Sequence, residues 1–368
     1  MEYIALKNIC KINMGQSPDS TSYNKEKYGI PFFQGNADFG ERFPITRVWC
    51  SSPIKIAKNE DILISVRAPI GAVNFAKEEC CIGRGLASLT LDTSKVSIEY
   101  IYWLLKAKNE ELNLKGTGST FKAISKKVLE DILVPDIELK KQNQCAEILD
   151  KTYNIIQKYR EELTDLDTLI KARFVEMFGN PEANEKEWKM NTFGDICTVR
   201  QGLQIPISKR LTQYEDDCYE YITVQYLHGG KEREYIKSPK TSVICTQNDI
   251  LMTRTGNTGM VVTGVDGVFH NNFFLIDFDR NKYDKDFLVQ YLKLDIIQAD
   301  ILRRAGTSTI PDLNHSDFYK IKIFEPPIEL QKQFTELITQ VDKSKSAVKK
   351  ALDETQLLFD SLMQEYFG

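Results

Sequence analysis

The stretch "VPDIELKKQ" (134–142) sets Asp136, Glu138 and Lys140 behind Pro135, the letters with which many metal-dependent nucleases cleave a phosphodiester. That chemistry needs carboxylates converging on a cation from two strands joined by a hairpin, and one intervening residue cannot separate them so far. Other catalytic patterns fail on spacing. No G-x-x-x-x-G-K-[ST] string is present to cradle a nucleotide phosphate. "IGRGLAS" (82–88) lacks the third glycine and the following helix of a dinucleotide loop. His228, His270 and His315 are scattered, which argues against a shared metal or general-base role. "GNPE" (179–182) begins like an amino-methyltransferase motif but lacks the second proline and the aromatic residue that would stack on a flipped base. On these grounds the chain is expected to have no active site of its own.

What remains is polar, basic and rich in glycine. One half carries Arg67, Arg84 and "KGTGSTFK" (115–122), with Lys115, Thr117, Ser119, Thr120 and Lys122. The other carries "RQGLQIPISKR" (200–210), with Arg200, Gln204, Lys209 and Arg210; "TRTGNTG" (253–259), with Arg254 and Asn257; and "RRAGTST" (303–309), with Arg303, Arg304, Thr307 and Ser308. Lysine and arginine neutralise phosphates, while amides, hydroxyls and guanidinium groups read base edges. Gln34, Asn36, Gln225 and Asn257 are the candidate base readers.

These residues recur because the chain repeats itself. "KNICKINMGQS" (7–17) aligns with "GDICTVRQGLQ" (194–204), putting Gly15 on Gly202, and "NEDILISVRAPIG" (59–71) aligns with "QNDILMTRTGNTG" (247–259), putting Arg67 near Arg254. "LIKARFVEMFG" (169–179) answers "LFDSLMQEYFG" (358–368). A unit of about half the chain thus occurs twice, far longer than a solenoid repeat. The nuclease letters do not survive the comparison: in "PPIELQKQ" (326–333) Asp136 becomes Pro327 and Lys140 becomes Gln331. The copies share a helix start, with a proline and an acidic residue ahead of apolar residues spaced by threes and fours.

Those residues run through Cys145, Ile148, Thr152, Ile155, Tyr159, Leu163, Leu166, Ile170, Phe174 and Met177, and again from Phe334 to Tyr366. Two helices of about 40 residues, each roughly 60 Å long, are expected to bury their stripes against one another as an antiparallel pair. Ahead of each lies a mixed region of short strands with a helix, at 97–112 and 284–302. The expected fold is α+β, with two mixed α/β domains in tandem pseudo-repeat separated by two long antiparallel coiled-coil helices. The boundaries are 1–133 for the first domain, 134–180 for its helix, 181–324 for a linker and second domain, and 325–368 for the second helix.

Composition narrows the function. The 368 residues, 42% hydrophobic and 27% charged, suit a soluble protein of two or more domains. No apolar run reaches membrane-span length and the N-terminus lacks a signal-peptide profile, so a cytoplasmic location is expected. The eight cysteines show no C-x-x-C spacing and are read as reduced. The formal charge of −4 divides into +3 over 1–124, −3 over 125–186, −3 over 187–318 and −1 over 319–368, so contact with a polyanion must use local patches.

The segments "NEDILISVRAPIGAVNFAKEECCIGRGLASL" (59–89) and "GTGSTFKAISKKVLEDILVPDIELKKQ" (116–142), the helix ending "FVEMFGNP" (174–181), and their second copies resemble the specificity subunit of type I restriction-modification enzymes. The resemblance covers essentially the whole chain. It implies a non-catalytic DNA reader in which each recognition domain reads half of a split double-stranded sequence and the helices fix the spacer. It also implies docking of two modification (methyltransferase) subunits that use S-adenosylmethionine to methylate adenine, and of restriction subunits that translocate and cut DNA, so S-adenosylmethionine, ATP and Mg belong to partners. The second copy departs at "GNTGMVVTGVDGVFHNNFF" (256–274), which lacks the Ala-Pro and "GRGL" elements. A coiled-coil scaffold without DNA specificity is the alternative reading.

Overall fold

In the computed structural model of the chain, which describes residues 2–118, 122–227, 229, 233–306 and 311–368, a buried glutamine stands near the start of each long helix, Gln142 in one copy and Gln331 in the other. Gln142 is 2% exposed; its Oε1 accepts the Ser97 N–H at 2.9 Å and its Nε2 donates to the Ile137 carbonyl at 2.8 Å. Gln331, fully buried, repeats the arrangement: it accepts the Asp284 N–H at 2.8 Å and donates to the carbonyls of Pro326 and Lys282 at 2.8 and 3.0 Å. Each glutamine therefore ties the start of a long helix to the residue that precedes a shorter one, satisfying backbone groups that burial would otherwise strand. Asp136, Glu138 and Lys140 are exposed at this strand-to-helix junction. Among the described residues no three His, Cys, Asp or Glu stand together as a metal-holding group.

The chain divides into two units, Met1–Arg160 with Lys350–Gly368, and Glu161–Lys349. In the first, Cys10–Met14, Leu86–Leu91, Ile62–Ser65 and Val73–Phe75 form an antiparallel sheet in that spatial order. A second sheet runs Tyr23–Asn24, Trp49–Cys50, Ile30–Phe33, Cys80–Ile82 and Ile56–Ala57, with a parallel pairing of Ile30–Phe33 and Cys80–Ile82. The second unit repeats the plan. Cys197–Gln201, Phe273–Phe278, Ile250–Thr253 and Val261–Val262 make the antiparallel sheet, and Cys218–Ile222 runs parallel to Gly267–Phe269 in the other. Each unit is closed by a two-stranded pairing, Tyr3–Ala5 with Leu133–Pro135 and Lys189–Thr192 with Lys322–Glu325. The fold class is α+β with two mixed units in tandem, as expected from the sequence.

The long helices are Leu139–Phe178 and Ile328–Phe367, and each gives part of its length to each unit. In the first unit Tyr153 lies 6.0 Å from Phe359 and Arg160 donates to Gln356, so the helices run antiparallel. Trp103, on the helix Ile98–Ala107, fits between them, 5.3 Å from Tyr153 and 5.4 Å from Phe359, and donates its indole N–H to Asp150 at 2.8 Å. Arg42 closes the cluster by pairing with Asp150 and Glu99. In the second unit Lys345 meets Asp167 at 2.6 Å and Phe174 packs edge-on against Phe334 at 5.4 Å, again antiparallel.

The apolar seam departs from the sequence reading at Ile148 and Ile155, while Cys145, Thr152, Ile170 and Phe174 are buried as expected. Gln142, Cys145, Leu149, Thr152 and Ile156 are buried, whereas Ile148 and Ile155 are each 44% exposed. Ile148–Leu149 and Ile155–Ile156 are adjacent apolar pairs, and steps of three and four pass through either member. The choice is made by packing: a fully buried leucine contributes about 1.5–3 kcal/mol relative to an exposed one, and Leu149 belongs to the core around Trp103.

All eight cysteines are free thiols and seven are buried. Burial pushes the Cys10, Cys80, Cys197 and Cys245 thiols up to about 12. Among the described residues no helix is long and apolar enough to cross a membrane.

Candidate nucleic-acid interface

Past Met14 the chain of the first unit must pass close to the loop at 82–86, and Gly15 makes this possible. Its N–H donates to the Leu86 carbonyl at 2.9 Å, and a Cβ there would meet the Gly83 carbonyl oxygen at 2.2 Å. The approach delivers Ser17, whose Oγ accepts the Arg84 N–H at 3.3 Å and the Gln34 Nε2 at 3.0 Å. Asp38 holds the other side of the loop, its Oδ2 accepting the N–H groups of Gln34 at 2.7 Å and Gly35 at 3.3 Å and so fixing the single turn Asn36–Asp38. Gly85 then bridges inward, donating to the Gln34 carbonyl and accepting from Val66. Arg67 follows in a β-bridge with Ala123, which also bridges Thr117, while the Ala68 N–H bonds the Lys122 carbonyl at 3.1 Å.

Hydrogen bonds therefore link Gln34, Asn36, Arg67, Arg84, Thr117 and Lys122, from four separate stretches of chain, into one connected group of loops. Arg67, Arg84 and Lys122 are exposed, and none has an ion pair among the described residues. Lys115 differs, being 2.5 Å from Glu111. Ser119 and Thr120 lie outside the described residues.

The second unit keeps the backbone plan and changes the chemistry. Gly202 donates to the Phe273 carbonyl at 3.1 Å, and a Cβ there would lie 2.2 Å from the His270 carbonyl oxygen, as at Gly15. The Arg254 N–H bonds Asn272 and its carbonyl accepts from Leu313, the bonds that Val66 makes with Gly85 and Ile124. Arg254 thus occupies the place of buried Val66, and Thr255 that of Arg67, as the ungapped alignment of 59–71 with 247–259 sets them. An arginine at a sheltered site needs partners. It has a fork to Asp312 at 2.8 and 2.7 Å and a longer bond to Gln201 Oε1 at 3.4 Å. Gln201 Oε1 also meets His315 Nε2 at 2.7 Å, and Gln201 Nε2 donates to the carbonyls of Asn271 and Phe273. The Arg254 hydrogen bonds hold the Asp312 carboxyl below its usual range, and burial together with the Arg254 charge lowers His315 against the opposing pull of Asp312.

Other basic candidates here are similarly engaged. Arg210 donates twice to the Ile205 carbonyl and to Glu234 at 3.0 Å, with its guanidinium 4.9 Å from the Tyr221 ring centroid. Arg303 and Arg304 both pair with Asp300. Arg200 donates to the Ser242 carbonyl at 3.1 Å. Lys209 and Gln204 are exposed, as is Gln225 on the turn Val224–Leu227, which follows Cys218–Ile222 as Asn36–Asp38 follows Ile30–Phe33. Asn257 is exposed with its Nδ2 3.4 Å from Met260 Sδ. Thr307, Ser308 and His228 lie outside the described residues. Sequence reasoning missed Ser17, Asp38 and Asp312. For Asp312 a signal existed, since the repeat sets it opposite Ala123 just where Arg254 replaces Val66.

A family model described as type I restriction modification DNA specificity domain matches residues 1–165 and 185–355. The chain is 43% identical over 157 residues to a putative type I restriction enzyme MjaX specificity subunit of Methanocaldococcus jannaschii, a match covering 43% of this chain and 37% of that protein. It is 23% identical to the type I restriction enzyme MjaIX specificity subunit of the same organism, over 90% of this chain and 84% of that one. Among solved structures, a type I restriction-modification S subunit from M. genitalium matches with a TM-score of 0.64 at 16% identity, covering 100% of this chain and 96% of that one. A chain from a structure describing assembly and conformational transition of the type I R-M system matches at 0.60 and 14% identity, covering 100% and 97%. At such identities the structural likeness is one of fold.

Proposed function

The chain belongs to the family of type I restriction modification DNA specificity domains, and on that premise we propose that it is the sequence-recognition subunit of a type I restriction-modification complex, acting on double-stranded DNA. Each unit reads one half of a bipartite site. The chain supplies no catalytic group. Two modification subunits that bind S-adenosylmethionine dock on it and methylate adenine, restriction subunits using ATP and Mg join them, and the complex works in the cytoplasm.

The observation that carries the reading is the connected loop group of the first unit, where Arg67, Arg84 and Lys122 stand exposed with no ion pair among the described residues, beside the amides of Gln34 and Asn36. Cations so placed bind phosphates and set register, while neighbouring amides discriminate bases. The second unit relies more on the neutral groups Gln204, Gln225 and Asn257, because Arg210, Arg254, Arg303 and Arg304 are held by carboxylates of their own unit. The two units, alike in backbone and unlike in loop chemistry, suit two different half-sites.

The test is an exchange of residues 1–133 for a different recognition domain, followed by genome-wide mapping of methyladenine. One half of the methylated sequence is expected to change and the other to persist. An unchanged motif would defeat the proposal, and DNA binding without sequence preference in the presence of partner subunits would leave a coiled-coil scaffold as the better description.

A further inference from the structure

The geometry points to Gln34 as the residue through which the first unit specifies an adenine in its half-site, with Ser17 as the positioning residue that orients it. The inference rests on the DNA-reading assignment above and deepens it. Asp38, not Gln34, caps the turn Asn36–Asp38, so the Gln34 side chain is not consumed by the loop that carries it. Gln34 is nevertheless not free to spin. One N–H of its Nε2 is given to Ser17 Oγ at 3.0 Å, and the same oxygen is fixed by the Arg84 N–H at 3.3 Å. Gly83 leaves room for this pose, since a Cβ there would lie 3.1 Å from Gln34 Oε1.

With one N–H committed, the exposed amide retains one acceptor, Oε1, and one donor, both without a partner among the described residues. Of the base edges in the major groove, adenine alone offers a neighbouring donor and acceptor on one base, N6–H and N7, which this pair complements. Guanine presents two acceptors there and would need both N–H groups, one of which Ser17 holds. Orienting the amide before contact removes part of the ordering cost of binding. Arg84, one residue from the Gly85 N–H that bonds the Gln34 carbonyl, and Arg67, next to the Val66 that bonds Gly85, are exposed cations of the same loop group for phosphate contacts. At the equivalent place in the second unit stands Thr223, so that unit must read its half-site differently.

The experiment selects binding sites for the full chain from a library of randomised duplexes and repeats the selection with Gln34→Ala, Gln34→Glu, Ser17→Ala and Ser17→Thr, each checked for an unchanged melting temperature. The parent is expected to select a split motif with an adenine that becomes degenerate in Gln34→Ala, with a loss of discrimination of roughly fivefold to a hundredfold, the range of one bidentate base contact. Gln34→Glu, which can only accept, should shift that position toward cytosine through its N4 donor. Ser17→Ala should weaken discrimination at the same position and Ser17→Thr restore it. A parent motif retained intact by Gln34→Ala, or degeneracy appearing at a base other than adenine, overturns the inference and leaves the DNA-reading assignment standing. A parent that selects no motif overturns both.

Discussion

Replacing Arg67, Arg84 and Lys122 together by alanine removes three cations that no carboxylate of the chain neutralises among the described residues. If each meets one phosphate, the slope of log affinity against log salt falls by ~0.9 per residue, or ~2.7 for the three. Between about 50 and 200 mM salt each lost contact is a factor of ~3.5, so the parent's affinity should drop ~40-fold more over that interval than the variant's. Because the side chains are exposed and unpaired, the stability change should stay within about 0.5 kcal/mol, which separates lost binding from lost folding. The assay is fluorescence anisotropy of the full chain with a labelled duplex carrying its selected site, titrated at several salt concentrations, beside chemical denaturation. The control is Arg303→Gln with Arg304→Gln: both arginines are held by Asp300, so the slope should move much less per charge removed. Equal slopes for parent and triple variant, or a larger change in the control, would refute the reasoning.

Gln142→Leu and Gln331→Leu should each destabilise the unit concerned by about 2–5 kcal/mol, because each strands buried backbone donors and acceptors at ~1–3 kcal/mol apiece; urea unfolding followed in each unit checks this, and a change under about 0.5 kcal/mol would contradict it. The second unit should lose stability as pH falls below the ordinary histidine range. His270, lowered by burial and then by Arg210, and His315, lowered by burial and then by Arg254, hold a proton less readily in the folded than in the unfolded chain. The unfolded chain therefore binds more protons in this window, stability is fully present above the unfolded histidine value and is lost as pH drops toward the folded one. Asp312 adds a further loss only at lower pH, where its depressed carboxyl is protonated. Thermal melts across pH check the order, and His270→Gln with His315→Gln should flatten the first step.

Much of the architecture was legible because it rests on local patterns. The repeat could be read from Gly15 and Gly202, whose close approach to a carbonyl tolerates no side chain. The letters set Lys140 on Gln331, whereas the structure pairs Gln142 with Gln331, a slip of two where the proline precedes the helix. The seam at Leu149 and Ile156 was not legible, because helical spacing alone gives no preference within an adjacent apolar pair. The loop chemistry was the least legible. Arg67 and Arg254 look alike as letters, yet one is exposed without an ion pair among the described residues and the other is clamped by Asp312, 58 residues away. Sequence supplies charge, whereas the state of that charge depends on distant parts of the chain brought beside it.

The membership of Lys350–Gly368 in the first unit bears on how the protein is made. Phe359 and Phe367 pack on Trp103 and Tyr100 at 5.4 and 5.0 Å, so the amino-terminal core lacks two of its aromatic walls until the ribosome has passed residue 367. Contacts of such sequence separation cost loop-closure entropy before they contribute stability, which slows folding. A premature stop or frameshift ahead of residue 350 would therefore leave the unit around Trp103 incomplete, and nascent chains should show protease sensitivity there until residues 350–368 have been made.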